Sequence, residues 1–139
     1  MEILKKNFFE LTTKELYDIL HLRSEIFVLE QNCLYQDLDE IDKISIHYFL
    51  IIDGEIVSYL RTYKDKDFTR ITRVCTKKDY RKKGYSKTLI NNAIKDLDKP
   101  ILIHAQNYLK DFYESFGFKK TSEIFLEDGI EHIIMVLRD

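Results

Sequence analysis

A chain of 139 residues, 45% hydrophobic and 33% charged, is long enough for one domain with a buried core and too apolar to stay disordered. A net charge of −2 excludes a polycation, so a nucleic-acid role would have to rest on one local patch. Cys33 and Cys75 stand alone in no metal or redox spacing, which suits a reducing compartment, and no apolar run approaches the roughly 18 residues of a membrane span. The N-terminus carries no apolar core of a signal peptide, so the expectation is a soluble, cytoplasmic protein without a membrane partner.

Residues 2–9 read as a first strand. Thr12 is a helix N-cap with Glu15 completing a capping box, and Leu16, Ile19, Leu20, Arg23, Ile26 and Phe27 mark one face of a helix that ends near Glu30. A poorly periodic acidic stretch follows. Ile46–Ile52 and residues 55–63 form a hairpin about Asp53-Gly54, a pair that favours a type I′ turn. A polar turn at 64–67 leads to a third strand, Phe68–Thr76. A helix opens at Tyr85, with Leu89, Ile90, Ala93, Ile94 and Leu97 at helical spacing. Pro100 stops the chain before residues 101–105, a short apolar run that suits a strand buried on both faces. Leu109, Phe112, Tyr113 and Phe116 make a short helix ended by Gly117. Residues 118–126 and 130–137 then form a second hairpin about Asp128-Gly129. Strand, helix, strand in succession places the flanking strands in parallel. The expected fold is therefore α/β, with an α+β mixed sheet, antiparallel except at that crossover.

The turn before the central helix concentrates charge. Lys77, Lys78, Arg81, Lys82, Lys83 and Lys87 are six of the 22 basic residues, gathered in eleven positions with only Asp79 opposing. A strand that runs through a basic, glycine-containing turn into a helix is an anion site, because the first helical amides have no intrahelical partner and the dipole is positive there. Gly84 lets the backbone come close to a ligand or take a positive φ. A solvated lysine-rich loop and a nucleic-acid surface are the competing readings; the second lacks interleaved exposed aromatics. There is no G-x-x-x-x-G-K-[ST] loop and no G-x-G-x-x-G turn, and His21, His47, His104 and His132 have no zinc spacing, so no metal is expected.

The element order, with Arg81-Lys82-Lys83-Gly84-Tyr85-Ser86 opening the central helix, resembles the GNAT superfamily of acyl-CoA-dependent N-acetyltransferases, whose turn is R/Q-x-x-G-x-G/A. Leu22-Arg23-Ser24-Glu25-Ile26-Phe27-Val28-Leu29-Glu30-Gln31 with Tyr35, then Ala105-Gln106, Phe112-Tyr113 and Phe116-Gly117-Phe118, resemble its ElaA branch. Glu127-Asp128-Gly129-Ile130 with His132 and Met135 does so too, and the likeness spans nearly the whole chain as a single domain. Lys82 stands where the family often has Gly, Lys78 where Pro is common, Thr76 where Val is usual, Ser86 in place of the last Gly/Ala, and Glu131 in place of a Pro before His132.

The resemblance implies acetyl-CoA as co-substrate. Its pyrophosphate would lie on the amides of residues 81–86, with Arg81, Lys82, Lys83 and Lys87 adding charge-assisted contacts, Tyr85 beside them and the Ser86 hydroxyl near the phosphates. Its pantetheine arm would pair with a strand of Val74, Cys75 and Thr76 splayed from residues 101–105, with Gln106 nearby. Tyr113 takes the position of the acid that protonates the leaving thiolate. Direct attack by the amine leaves Cys75 without a nucleophilic role.

Glu25, Glu30, Tyr35, His47, Glu127 and His132 are expected on the acceptor side. The general base remains open among Glu25, Glu30, His47, Glu127, Asp128 and His132. Six acids and no Lys or Arg between Ser24 and Asp42 suggest a negative cleft wall that gathers a small cationic amine. The acceptor is a small-molecule or peptide amine and the protein a monomer or homodimer; a non-catalytic acyl-CoA-binding module is the alternative.

Overall fold

The computed structural model describes the whole chain, Met1–Asp139. Eight strands form one mixed sheet: β1 (Glu2–Asn7), β2 (Ile46–Ile52), β3 (Glu55–Asp65), β4 (Phe68–Thr76), β5 (Ile101–Gln106), β6 (Lys119–Lys120), β7 (Phe125–Glu127) and β8 (Ile130–Leu137). Their order is β1-β2-β3-β4-β5-β8-β6, with β7 also on β8, and every pairing is antiparallel except β4 with β5. The helices are α1 (Thr13–Arg23), α2 (Tyr85–Asp96) and α3 (Lys110–Glu114). No helix is long and apolar enough to cross a membrane.

Local chemistry accounts for most boundaries. Thr12 and Glu15 exchange the two bonds of a capping box at the start of α1. Asp53-Gly54 and Asp128-Gly129 both take the paired positive φ angles, 50° and 78°, 53° and 77°, that a type I′ turn needs. The helix does run on to Glu30, but Ser24–Glu30 is wound as a π-helix, closed by Gln31 N–H to the Ile26 carbonyl and Cys33 N–H to that of Val28, each at 3.1 Å. The strand expected at 118–126 is broken. The Ser122 hydroxyl accepts from the Ile134 amide at 2.8 Å, so a side chain takes a ladder position and the chain leaves the sheet between β6 and β7. Nor is β5 buried on both faces. Ile101, Ile103 and Ala105 are sealed, whereas Leu102, His104 and Gln106 on the other face are only half-buried.

Alternation divides the core in two. On one face α2 and α3 cover Ile71, Ile101, Ile103, Ala105, Ile133 and Met135 with Leu89, Ile90, Ala93 and Tyr113. On the other, α1 sets Ile19 and Leu22, and the π-helix Ile26, on Phe49, Ile56, Tyr59 and Cys75.

The acidic stretch is built into this second face and does not form a charged wall. Arg23, fully buried, donates from Nε to Asp37 Oδ2 and from Nη1 to Asp42 Oδ1, each at 2.7 Å. Arg61, 1% exposed, reaches Asp39 at 2.6 Å and Asp42 at 2.8 Å, and Arg73 Nε reaches Asp37 Oδ1 at 2.8 Å. Three guanidinium groups thus neutralise three of the six acids that suggested a cation-gathering surface. His47 is sealed beside them. Its Nε2 faces the Asp42 carbonyl at 2.9 Å and so carries the hydrogen, leaving Nδ1 to accept from the Tyr59 hydroxyl at 2.5 Å. Burial pushes its pKa down, and the ring does not line the cleft between β4 and β5.

Removing one carboxylate from this network leaves buried cations without a counter-charge. Asp42→Ala should cost about 3–5 kcal/mol in urea unfolding. The network also sets the acid limit. His47 is depressed below 6.5 and Asp39 and Asp42 below 3.8 by the fold, so the unfolded chain binds more protons in both ranges. Stability should decline as pH drops below about 6.5 and again below about 3.8. His47→Gln should flatten the first decline and leave the second.

Candidate active site

β4 and β5 are hydrogen-bonded only at Thr69 with Ile101 and Arg70 with Leu102. Beyond that point β4 carries an extra residue against β3, where Tyr59 faces Cys75 and Arg61 faces Thr72, and Arg73 takes a φ of 57°. Such a bulge bends a strand and breaks its ladder. The strands part, and a cleft of about 910 Å³ opens between them, reaching from the start of α2 to β7 and β8.

At one end lies the turn before α2. Lys82 and Gly84 both have positive φ, 62° and 81°, which turns successive amides to one side. The first amide of α2 to find a backbone carbonyl is Thr88, to Gly84 at 3.0 Å. Those of residues 82–87 make no hydrogen bond to a backbone carbonyl. A Cβ built on Gly84 meets nothing within 4 Å, so its surface is open to close approach. Lys82, Tyr85 and Lys87 line the cleft here, while Lys83 turns away over the Tyr80 ring at 5.7 Å.

Two side chains of this turn do something other than the sequence suggests. Arg81 donates from Nε to the Thr76 carbonyl at 2.9 Å and from Nη2 to Glu30 at 2.8 Å, joining the turn to β4 and to the π-helix. The Ser86 hydroxyl bonds that of Thr76, which bonds Ser58 at 2.9 Å, so it is tied to β4 while lining the cleft. Val74 and Cys75 also line the cleft, but burial pushes the Cys75 thiol up to about 12.

Tyr113, on α3, packs its ring among Phe112, Phe116 and Phe118 and is 6% exposed. Packing residue and cleft residue are the same one, for it also lines the opening with Gln106. Its hydroxyl has no partner in the protein and is not sealed from solvent. Burial raises its pKa, so the proton stays on across the ordinary range.

The far end holds Tyr35, stacked against Arg73, with Glu127, Asp128 and His132. Glu30 lines the cleft but is spent on Arg81. Glu25 is elsewhere. It sits on the outer surface of the helix near His21, at 3.6 Å and one α-helical turn away, and does not line the cleft. Sequence reasoning missed Arg73 and His104; His104 Nδ1 contacts Glu127 Oε1 at 2.8 Å. A histidine alternating with core residues on a strand was the available signal.

The family model of the acetyltransferase (GNAT) domain matches residues 19–138. The chain belongs to the GNAT acetyltransferase family. Within it the likeness is to ElaA of Escherichia coli, 36% identical over 136 residues that cover 91% of this chain and 89% of ElaA. A UPF0039 protein of Schizosaccharomyces pombe is 40% identical over 99% of this chain and 97% of its own. The crystal structure of Escherichia coli ElaA superposes over the full length of both chains with a TM-score of 0.94 at 34% identity. An acyl-CoA N-acyltransferase from Pseudomonas aeruginosa gives 0.92 at 34%, over 97% of each. This GNAT chain therefore has the acyl-CoA N-acyltransferase fold and sits in the ElaA-like branch.

Cys75 should be inert in the folded protein. With a thiol near 12, the thiolate fraction at pH 8 is on the order of 10⁻⁴. Iodoacetamide at pH 8 should leave the Cys75 peptide unmodified by mass spectrometry until urea is added.

Proposed function

We propose that the protein is an N-acetyltransferase that moves an acetyl group from acetyl-CoA to a primary amine by direct attack in a ternary complex. The observation that carries this reading is the opening between β4 and β5, which joins an anion-binding turn to a protonated tyrosine in one continuous cleft. Membership of the GNAT family and the likeness to an acyl-CoA N-acyltransferase support an acyl-CoA ligand.

The free amides of residues 82–87 suit a pyrophosphate, with Lys82 and Lys87 adding charge. The unpaired side of β4 past Arg70 suits the amides of a pantetheine arm, laid beside it as an added strand would be. A backbone N–H of this segment would stabilise negative charge developing on the thioester oxygen. Tyr113, with its ring fixed by packing, would give its proton to the departing sulfur. Cys75, held as a thiol, leaves the amine itself to attack.

The acceptor is a small-molecule or peptide amine. The grounds for a cationic one are reduced, since Asp37, Asp39 and Asp42 are engaged by arginines. Asp128 is the carboxylate that remains at the acceptor end for an ammonium group, since Glu127 is engaged by His104.

Acetyl-CoA should raise the melting temperature of the protein, as any ligand preferring the folded state does. Gly84→Val, which puts a branched side chain at a φ of 81° and into the ligand's path, should weaken that binding at least about tenfold. Thiol release against a panel of amines tests the transfer itself. Tyr113→Phe should lower kcat by ~10²–10⁴-fold with acetyl-CoA affinity nearly kept. Binding without thiol release for any amine would instead mark a non-catalytic acyl-CoA module.

A further inference from the structure

His104 stands on β5 two residues beyond the last β4–β5 pair, roughly 7 Å into the opened part of the sheet. Its neighbours Ile103 and Ala105 pack under α2 and α3 together with Tyr113. His104 therefore projects from the opposite face, and the cleft is lined by both. Tyr113 and His104 flank the opening from its two sides.

The ring is oriented. Its Nδ1 lies 2.8 Å from Glu127 Oε1, and that carboxyl is held below its ordinary range, first by this hydrogen bond and also by the nearby charges of His132 and Arg70. An ionised carboxylate only accepts, so Nδ1 carries the hydrogen and Nε2 of the neutral ring is a bare lone pair. Nε2 has no partner in the protein and is not sealed from solvent. Phe125 meets the ring edge-on at 5.5 Å and limits its rotation.

His132 lacks these features. Its Nδ1 donates to the Ile130 carbonyl at 2.7 Å, its Nε2 faces Glu127 Oε2 at 3.8 Å, and its side chain is 9% exposed against 30% for His104. The charged group in contact with His104 is Glu127 on β7, and His132 on β8 and Arg70 on β4 act in turn on that carboxylate.

We propose that His104 is the general base of the transfer, with Glu127 its positioning residue. This rests on the acetyltransferase reading above. As the amine nitrogen bonds to the thioester carbonyl carbon, His104 Nε2 takes the proton that nitrogen sheds. The carbon–sulfur bond breaks on the other side of the opening, where Tyr113 supplies a proton to the sulfur. The imidazolium then loses its proton and the phenolate regains one through solvent, so the products are the amide and the free thiol.

The test has two parts. Nitrogen NMR of labelled protein, without any amine, reads the ring directly: the expected state is Nδ1–H with Nε2 bare, and the reverse tautomer overturns the proposal. In thiol-release kinetics, His104→Gln should lower kcat by ~10²–10⁴-fold and keep the acetyl-CoA melting shift, which also shows that the variant folds. Glu127→Gln should lower kcat less, with KM for the amine little changed. A His104→Gln enzyme within threefold of the parent overturns the assignment while the transferase reading stands. A parent inert towards every amine overturns both.

Discussion

The parting of β4 from β5 is the constraint on which the rest of this molecule depends. Parallel strands in the middle of a sheet normally exchange hydrogen bonds along their length, and every unmade bond must be met by something else. Here two residue pairs hold the strands together and the bulge at Arg73 turns β4 aside. The consequence is an internal edge, open to a ligand yet shielded from other chains because both strands have partners on their outer sides. The turn before α2 lies at the mouth of this opening and Tyr113 and His104 lie on either side of it.

Holding that geometry requires the other face of the sheet to be stiff. The six charges of Arg23, Arg61, Arg73, Asp37, Asp39 and Asp42 supply this by crossing between α1, the 31–44 segment, β3 and β4. Buried ion pairs add little net stability over apolar packing, because desolvation offsets the attraction. They do fix position, since each guanidinium accepts few alternative geometries. Arg73 belongs to both features: its backbone makes the bulge and its side chain pins Asp37. Arg81 plays a similar part at the mouth, binding the Thr76 carbonyl and Glu30 at once. Basic residues that look like ligand contacts are here divided between structure and site.

The same division runs through the aromatic and imidazole groups. The Tyr113 ring belongs to the larger core while its hydroxyl opens to the cleft. His47 and His104 are both strand histidines on the α1 face, yet one is sealed between a carbonyl and a phenol and the other borders open space beside a carboxylate. Identical side chains acquire different chemistry from what surrounds them.

The sequence by itself determined what local chemistry controls. The capping box at Thr12, the two Asp-Gly hairpins, the span of β2 through β4, the start of α2 at Tyr85 and the positive φ at Gly84 follow from residue type and spacing, because each depends on neighbours within a few positions. With the motif at 81–86 these were enough to place the family. Tertiary structure decided the partners. That Asp37 and Asp42 both face Arg23, 14 and 19 residues before them, that Arg81 and Ser86 bind β4, and that His104 meets Glu127 across 23 positions are outcomes of how the strands and helices assemble. Charge and polarity patterns record which groups must find partners. Only the folded sheet determines which ones they find, because burial makes an unpaired group costly and the nearest opposite charge is set by topology.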